Sequence, residues 1–164
     1  MKTIIVYATK HGTTEQIAKL IAEKAAHNTD MVNLKKEKKV DLHPYDQIII
    51  GGSIHAGTIQ KSLRKFIEGS MPQLLQKRIA LFLSCMYDQK AQEQFDTVFP
   101  EILRTHAQSK QLTGGEFRFD KMNFLERAIV KKVAGIGQSI SNINHDAIER
   151  LLEEMNLKTA KLNE

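Results

Sequence analysis

Four consecutive apolar residues, Ile4-Ile5-Val6-Tyr7, lead into a polar turn, Thr9-Lys10-His11-Gly12-Thr13-Thr14, and the turn leads directly into a stretch where Ile17, Leu20 and Ile21 share one helical face. A short β-branched run without polar alternation reads as a strand covered on both sides, and apolar spacing of three to four residues reads as a helix. Residues 2–8 are therefore a predicted buried strand and residues 14–27 a predicted helix. A strand covered on both faces and followed at once by a helix belongs to a parallel sheet with crossover helices.

The same alternation continues along the chain. Residues 31–34 form a weak strand candidate, and Lys35-Lys36-Glu37-Lys38-Lys39 follows as a solvated charge run. Ile48-Ile49-Ile50 enters Gly51-Gly52, which predicts a buried strand over 46–51 ending in a turn. Helical spacing covers 59–68, and Ile79-Ala80-Leu81-Phe82-Leu83 is a further strand. A helix is expected over 89–106, broken or kinked at Pro100. Residues 111–119 read as the last strand, with glycines inside it that suggest a bulge or a close approach. Two helices, 124–138 and 145–155, complete the chain. No clear helix fits between the second and third strands. The order predicts an α/β fold whose five-stranded parallel sheet carries helices on both faces, with ligands at the carboxyl ends of the strands.

A length of 164 residues with 41% hydrophobic content suits one domain spanning 1–164. The apolar start is too short for a signal-peptide core, and no stretch approaches the ~20 apolar residues of a membrane span. A cytoplasmic protein is the expectation. Cys85 is the only cysteine, which excludes an internal disulfide and any multi-cysteine zinc site, and no metal is expected. A formal charge of +5 points to anionic partners. With seven Phe, three Tyr, no Trp and no aromatics interleaved in the basic run, nucleic acid is not among them.

The turn after the first strand carries the chemistry. The hydroxyls of Thr9, Thr13 and Thr14, the backbone N–H groups and the helix dipole can converge on a phosphate monoester, and Gly12 permits the tight turn. The competing reading is a capped helix start, with Thr13 or Thr14 serving the helix alone. The Gly-x-Gly-x-x-Gly spacing of a dinucleotide site and the Gly-Lys-Thr ending of a P-loop are both missing, which leaves a mononucleotide.

Thr9-x-x-Gly12-x-Thr14 after an Ile-Ile-Val-Tyr strand resembles the FMN-phosphate loop of flavodoxins. The resemblance implies a flavodoxin-like three-layer α/β/α sandwich with FMN as cofactor. It also implies that the loops after the third and fourth strands cradle the isoalloxazine ring. Here those are Gly51-Gly52-Ser53-Ile54-His55-Ala56-Gly57 and Ser84-Cys85-Met86-Tyr87-Asp88, where Ile54 or Tyr87 would cover a ring face. The expected cofactor-binding set is Thr9, Lys10, His11, Gly12, Thr13, Thr14, Ser53, Ile54, His55, Ala56, Gly57, Ser84, Cys85, Met86 and Tyr87.

Within that family the chain is most similar to the menaquinone-dependent protoporphyrinogen oxidases. The likeness lies in the phosphate loop, in Gly52-Ser53-Ile54-His55-Ala56-Gly57, and in Gly115-Glu116-Phe117-Arg118-Phe119 leading to Phe124-Leu125-Glu126-Arg127-Ala128-Ile129-Val130-Lys131-Lys132. It implies an FMN-dependent oxidoreductase of heme biosynthesis that moves electrons from an organic substrate to a quinone. One departure bears on the substrate: those oxidases extend the loop after the fourth strand, whereas Met86-Tyr87-Asp88 here passes almost directly into a helix. The alternative is a non-catalytic electron carrier docking on redox proteins, and a third reading is a fold that has lost its cofactor. The basic balance favours an electron acceptor, because positive surroundings ease reduction.

Several residues keep two readings. His11 and His55 either face phosphate or flavin or face solvent, and no catalytic residue is assigned. Cys85 reads as an inert, half-buried thiol rather than a redox group. Leu125, Ile129, Val133 and Ile136 fall on one helical face, and the simpler expectation is that they cover the sheet. Arg127 and Lys131 beside them allow peripheral contact with an anionic membrane at the inner face of the cell membrane.

Overall fold

A computed structural model describes residues 1–158 apart from Tyr87 and Ile136. In chain order its elements are β1 (Thr3–Tyr7), α1 (Thr13–Lys24), β2 (Thr29–Asn33), β3 (Gln47–Ser53), α2 (Lys61–Leu74), β4 (Arg78–Ser84), α3 (Asp88–Val98), α4 (Glu101–His106), β5 (Ser109–Leu112), β6 (Gly114–Phe117), α5 (Phe124–Ala134), β7 (Ile140–Ile143) and α6 (His145–Glu154). The five strands β1 to β5 form one parallel sheet in the order β2-β1-β3-β4-β5.

The period-two geometry of the strands divides the core into two layers. Ile4, Val6, Ile48, Ile50, Ile79 and Leu81 point to one face and pack with Leu63 and Ile67 of α2, Phe95 of α3 and Leu103 of α4. Ile5, Tyr7, Ile49, Ala80 and Phe82 point to the other, where Ile17 and Ile21 of α1 meet Ile148, Leu151 and Leu152 of α6. The result is the three-layer α/β/α sandwich of flavodoxin type. An ion pair between Lys24 and Glu149 (2.7 Å) ties the two helices of the second layer at their rim.

No helix crosses from β2 to β3. Leu34 and Leu42 seal that connection against the core instead, and the charge run 35–39 is exposed between them. Pro100 divides the helix expected over 89–106 into α3 and α4.

The structure corrects two expectations near the end of the chain. The strand expected over 111–119 is split. The chain leaves the sheet at Gly114, whose φ of 66° is left-handed and whose added Cβ would stand 2.0 Å from the Asn142 carbonyl oxygen. It then builds β6, which pairs antiparallel with β7 in a separate two-stranded sheet. Asn144 donates its N–H to the Thr113 carbonyl (2.9 Å), so residues 114–143 depart from and return to one point at the end of β5.

The second correction concerns α5. It does not cover the sheet, because α1 and α6 already fill one face and α2, α3 and α4 the other. Leu125 and Ile129 are 67% and 53% exposed, and Phe124 is 88% exposed. The side chain of Val133 and all of Ile136, also expected on that face, lie outside the described residues. An Asn123 cap bonded to the Glu126 N–H (2.9 Å) starts the helix, and Gly135 in the left-handed region ends it.

Candidate functional site

In a sheet of this order the crevice opens where the crossover direction reverses, at the carboxyl ends of β1 and β3. The loops after β1, β3 and β4 meet there around a cavity of about 440 Å³. Thr9, Lys10, His11 and Thr13 line it from the first loop, residues 53–57 from the second, and Ser84, Cys85 and Met86 from the third. Gly12 and the fully buried Thr14 are not among the residues lining it, and Tyr87 lies outside the described residues.

The first loop folds on itself. Gly12, at φ 94°, donates its N–H to Thr9 Oγ1 (2.9 Å) and precedes α1. No side chain caps α1. The Thr14 hydroxyl is buried with no hydrogen-bond partner, which answers the capped-helix reading: the helix does not use it. A buried hydroxyl left unpaired costs about 1–3 kcal/mol, and a ligand oxygen would relieve that cost. Arg118 approaches from the segment after β6, with a guanidinium nitrogen 3.3 Å from where a Cβ on Gly12 would stand.

The second loop turns tightly at its tip, where Ala56 and Gly57 both have positive φ and His55 and Thr58 exchange backbone hydrogen bonds (2.8 and 3.2 Å). Gln60 donates to the Ser53 hydroxyl (2.9 Å) and fixes its base. In the third loop the Cys85 N–H donates to the Gly114 carbonyl (2.9 Å), and the thiol donates to Gln94 Oε1 (2.7 Å).

Residues 114–143 close one side of the cavity. Gly115, Glu116, Met122, Glu126, Ile129 and Val130 join its lining. Glu126 pairs with Lys10, and its other oxygen lies 3.7 Å from His11 Nε2. Lys10 Nζ also donates to His55 Nε2 (2.7 Å). An ammonium has no acceptor, so His55 Nε2 carries no proton here. Burial, and then the Lys10 charge, hold the His55 pKa below its usual value, in keeping with a neutral ring. The hydrogen bond from Lys10 is the largest of the effects that hold the Glu126 carboxyl below the usual range.

His11, His55 and Glu126 bring three potential metal-ligating atoms within 4.8 Å of one another. The Lys10 ammonium, bonded to two of the three, stands in the position a cation would take.

Sequence reasoning did not place Arg118, Glu126 or the α5 residues at the site, since their approach depends on residues 114–143 folding back. The Asn123-x-x-Glu126 capping box is the one local signal that marks where α5 begins.

The chain belongs to the flavodoxin domain family, which it matches over residues 4–142. Over 71 residues it is 28% identical to the protoporphyrinogen IX dehydrogenase [quinone] of Escherichia coli (strain K12); that match spans 42% of this chain and only 39% of the relative's length. The WrbA-like flavodoxin from Agrobacterium tumefaciens superposes with a TM-score of 0.57 at 16% identity, over 95% of this chain and 94% of that one. Oxidised Flavodoxin 1 from Bacillus cereus gives 0.53 at 16% identity, over 97% and 100%. These structures share the fold. Among the described residues, no helix is long and apolar enough to cross a membrane.

Proposed function

We propose that the chain is an FMN-binding oxidoreductase that takes electrons from an organic substrate and passes them to a quinone. The observation that carries the cofactor is the unspent Thr14 hydroxyl in a turn overlooked by Arg118, at the switch point of the sheet. Hydroxyl, backbone donors and cation suit a doubly charged phosphate group.

Thr9, Gly12, Thr13 and Thr14, with Arg118, would hold the phosphate. The backbone of 54–57 and 84–86 would meet the edges of the ring, with Ile54 and Met86 keeping water from it. Bound FMN supplies one- and two-electron transfer; the protein supplies position and field. Lys10 is neutralised by Glu126, so it is Arg118, in a longer 3.7 Å contact with Asp120, that would place positive charge beside the site and favour accepting electrons. His55 accepts the Lys10 hydrogen bond at Nε2 and so positions that ammonium at the cleft. The quinone and a porphyrinogen substrate follow from the partial likeness to the E. coli enzyme, and the short connection from β4 into α3 leaves the substrate to be tested directly.

The purified protein is expected to bind FMN with a flavin visible spectrum. Thr9→Ala and Thr14→Ala should weaken FMN by roughly tenfold while sparing riboflavin, as loss of a charge-assisted hydrogen bond predicts. Equal loss for both flavins would overturn the phosphate assignment. With FMN bound, protoporphyrinogen oxidation in the presence of menaquinone is the expected activity. Fast reduction by a flavodoxin reductase with no substrate oxidation would make the protein an electron carrier instead.

A further inference from the structure

We propose that the outer face of α5 seats the protein on an anionic lipid bilayer, with the cleft mouth held at the membrane surface. This rests on the functional reading above only where it links the cleft to a lipid-soluble acceptor.

Three of the six large apolar side chains that stand in water among the described residues lie on this element, while Met1 and Ile102 stand apart. Phe124, Leu125 and Ile129 are 88%, 67% and 53% exposed, and Ile140, where β7 begins, is 37% exposed. At ~100° per residue, Phe124, Ala128, Leu125 and Ile129 fall on one arc of α5, while Glu126 and Val130 fall on the side that lines the cleft. Ile129 belongs to both, since it is half exposed and also lines the cleft. The outer apolar face is thus continuous with the mouth of the site.

Charge identifies the partner. From Arg118 to Lys132 the sequence holds five cations, Arg118, Lys121, Arg127, Lys131 and Lys132, and two carboxylates. Both carboxylates are already engaged, Glu126 with Lys10 and Asp120 with Arg118 (3.7 Å). No carboxylate of α5 faces outward, so an anionic surface meets uncompensated positive charge.

Lys132 lies within the apolar arc rather than at its edge. In an apolar protein interface its ammonium would need a carboxylate supplied opposite it, or be buried unpaired at considerable cost. In a bilayer its stem lies among acyl chains while its head reaches the phosphates.

The test is sedimentation of the full-length protein with phosphatidylcholine vesicles, with and without phosphatidylglycerol, across a salt series. Binding is expected to the anionic vesicles and to fall with salt. The double variant Phe124→Ser/Leu125→Ser should lower the partition coefficient by roughly tenfold or more, and Lys131→Gln and Lys132→Gln by roughly fivefold each. All four side chains are exposed, so circular dichroism should stay unchanged. Failure to pellet at low salt, equal binding to neutral vesicles, or binding that survives the Phe124/Leu125 change would each overturn the proposal. If vesicle binding is absent and the same double variant slows electron exchange with a flavodoxin reductase, the face docks a protein instead. Sedimentation requires no flavin turnover, so failure here is distinct from failure to bind FMN.

Discussion

Lys10, in the turn leaving β1, and Glu126, in the first turn of α5, form an ion pair between residues 116 positions apart, and the same ammonium donates to His55 Nε2. One lysine thereby joins the phosphate-facing turn, the loop after β3 and the outlying helix. Glu126→Gln should cost about 0.2–1 kcal/mol, because Lys10 is partly exposed and the pair is screened. Glutamine still accepts from the Asn123 N–H, so the capping box survives; Glu126→Ala should cost about 1 kcal/mol more. Denaturant unfolding of the two variants measures both values.

The titration of His55 reads the same cluster. Lys10 depresses the His55 pKa and Glu126 raises it. The His55 midpoint should therefore move up in Lys10→Met and down in Glu126→Gln, followed by NMR of the ring protons. Both depressed groups act on stability in one direction. His55 binds its proton more readily in the unfolded chain, so its contribution is complete above ~pH 6.5 and lost on acidification through its lowered folded value. Glu126 repeats this pattern below ~pH 4.3. Amide exchange protection of α5 should accordingly fall as pH drops, and a flat profile from pH 7 to 4 would contradict the linkage.

Arg118 lies over the turn at Gly12, and its ion pair among the described residues is a 3.7 Å contact to Asp120. Arg118→Gln should weaken FMN by roughly tenfold or more while leaving riboflavin nearly unchanged, the size expected for one charge-assisted hydrogen bond. Lysine at that position should restore part of the loss. Titrations of both flavins at two salt concentrations decide it, since the wild-type preference for FMN should shrink with salt.

The part of this arrangement that was legible in the sequence is the part built from neighbours in the chain. A strand buried on both faces shows as Ile4-Ile5-Val6, and the turn that follows is continuous with it, so β1, the turn and α1 could be read together. The same holds for the triple isoleucine of β3 and its glycines. The excursion 114–143 was not legible, because β7 is four residues, Ile-Ser-Asn-Ile, largely exposed and paired only with glycine-led β6. The spacing of Leu125 and Ile129 showed that α5 is amphipathic but not what its apolar side meets. The sheet was the ordinary candidate, and only the count of helices already packed on it excludes that. Glu126 reaches the site through a pairing 116 residues away in sequence, and Arg118 by approaching Gly12 across a similar separation, for which no local pattern exists.

Gly51 and Phe82 pair across adjacent strands, and a Cβ added to Gly51 would stand 2.0 Å from the ring. The ring is fully buried and has little room to move. Gly51→Ala should therefore cost about 1–3 kcal/mol and lower the melting temperature by several degrees. In the double variant Gly51→Ala/Phe82→Leu the new methyl group enters space the ring has vacated, so the two costs should add to less than their sum by at least ~0.5 kcal/mol. Strict additivity in calorimetry would show that the contact does not govern the site.

Cys85 reaches the cleft, yet the residue is 7% exposed and its thiol donates to Gln94 Oε1 (2.7 Å). Reaction with a disulfide reagent needs access to the sulfur, which burial in the native fold restricts. Modification of the native protein should be slow and should accelerate sharply in denaturant. Serine can donate the same hydrogen bond, so Cys85→Ser should keep FMN affinity within about threefold and lose about 1 kcal/mol of stability. Because no second cysteine exists to form an internal disulfide, electron transfer should proceed unaltered in this variant. Loss of turnover with FMN still bound would assign the sulfur a chemical role that its surroundings do not predict.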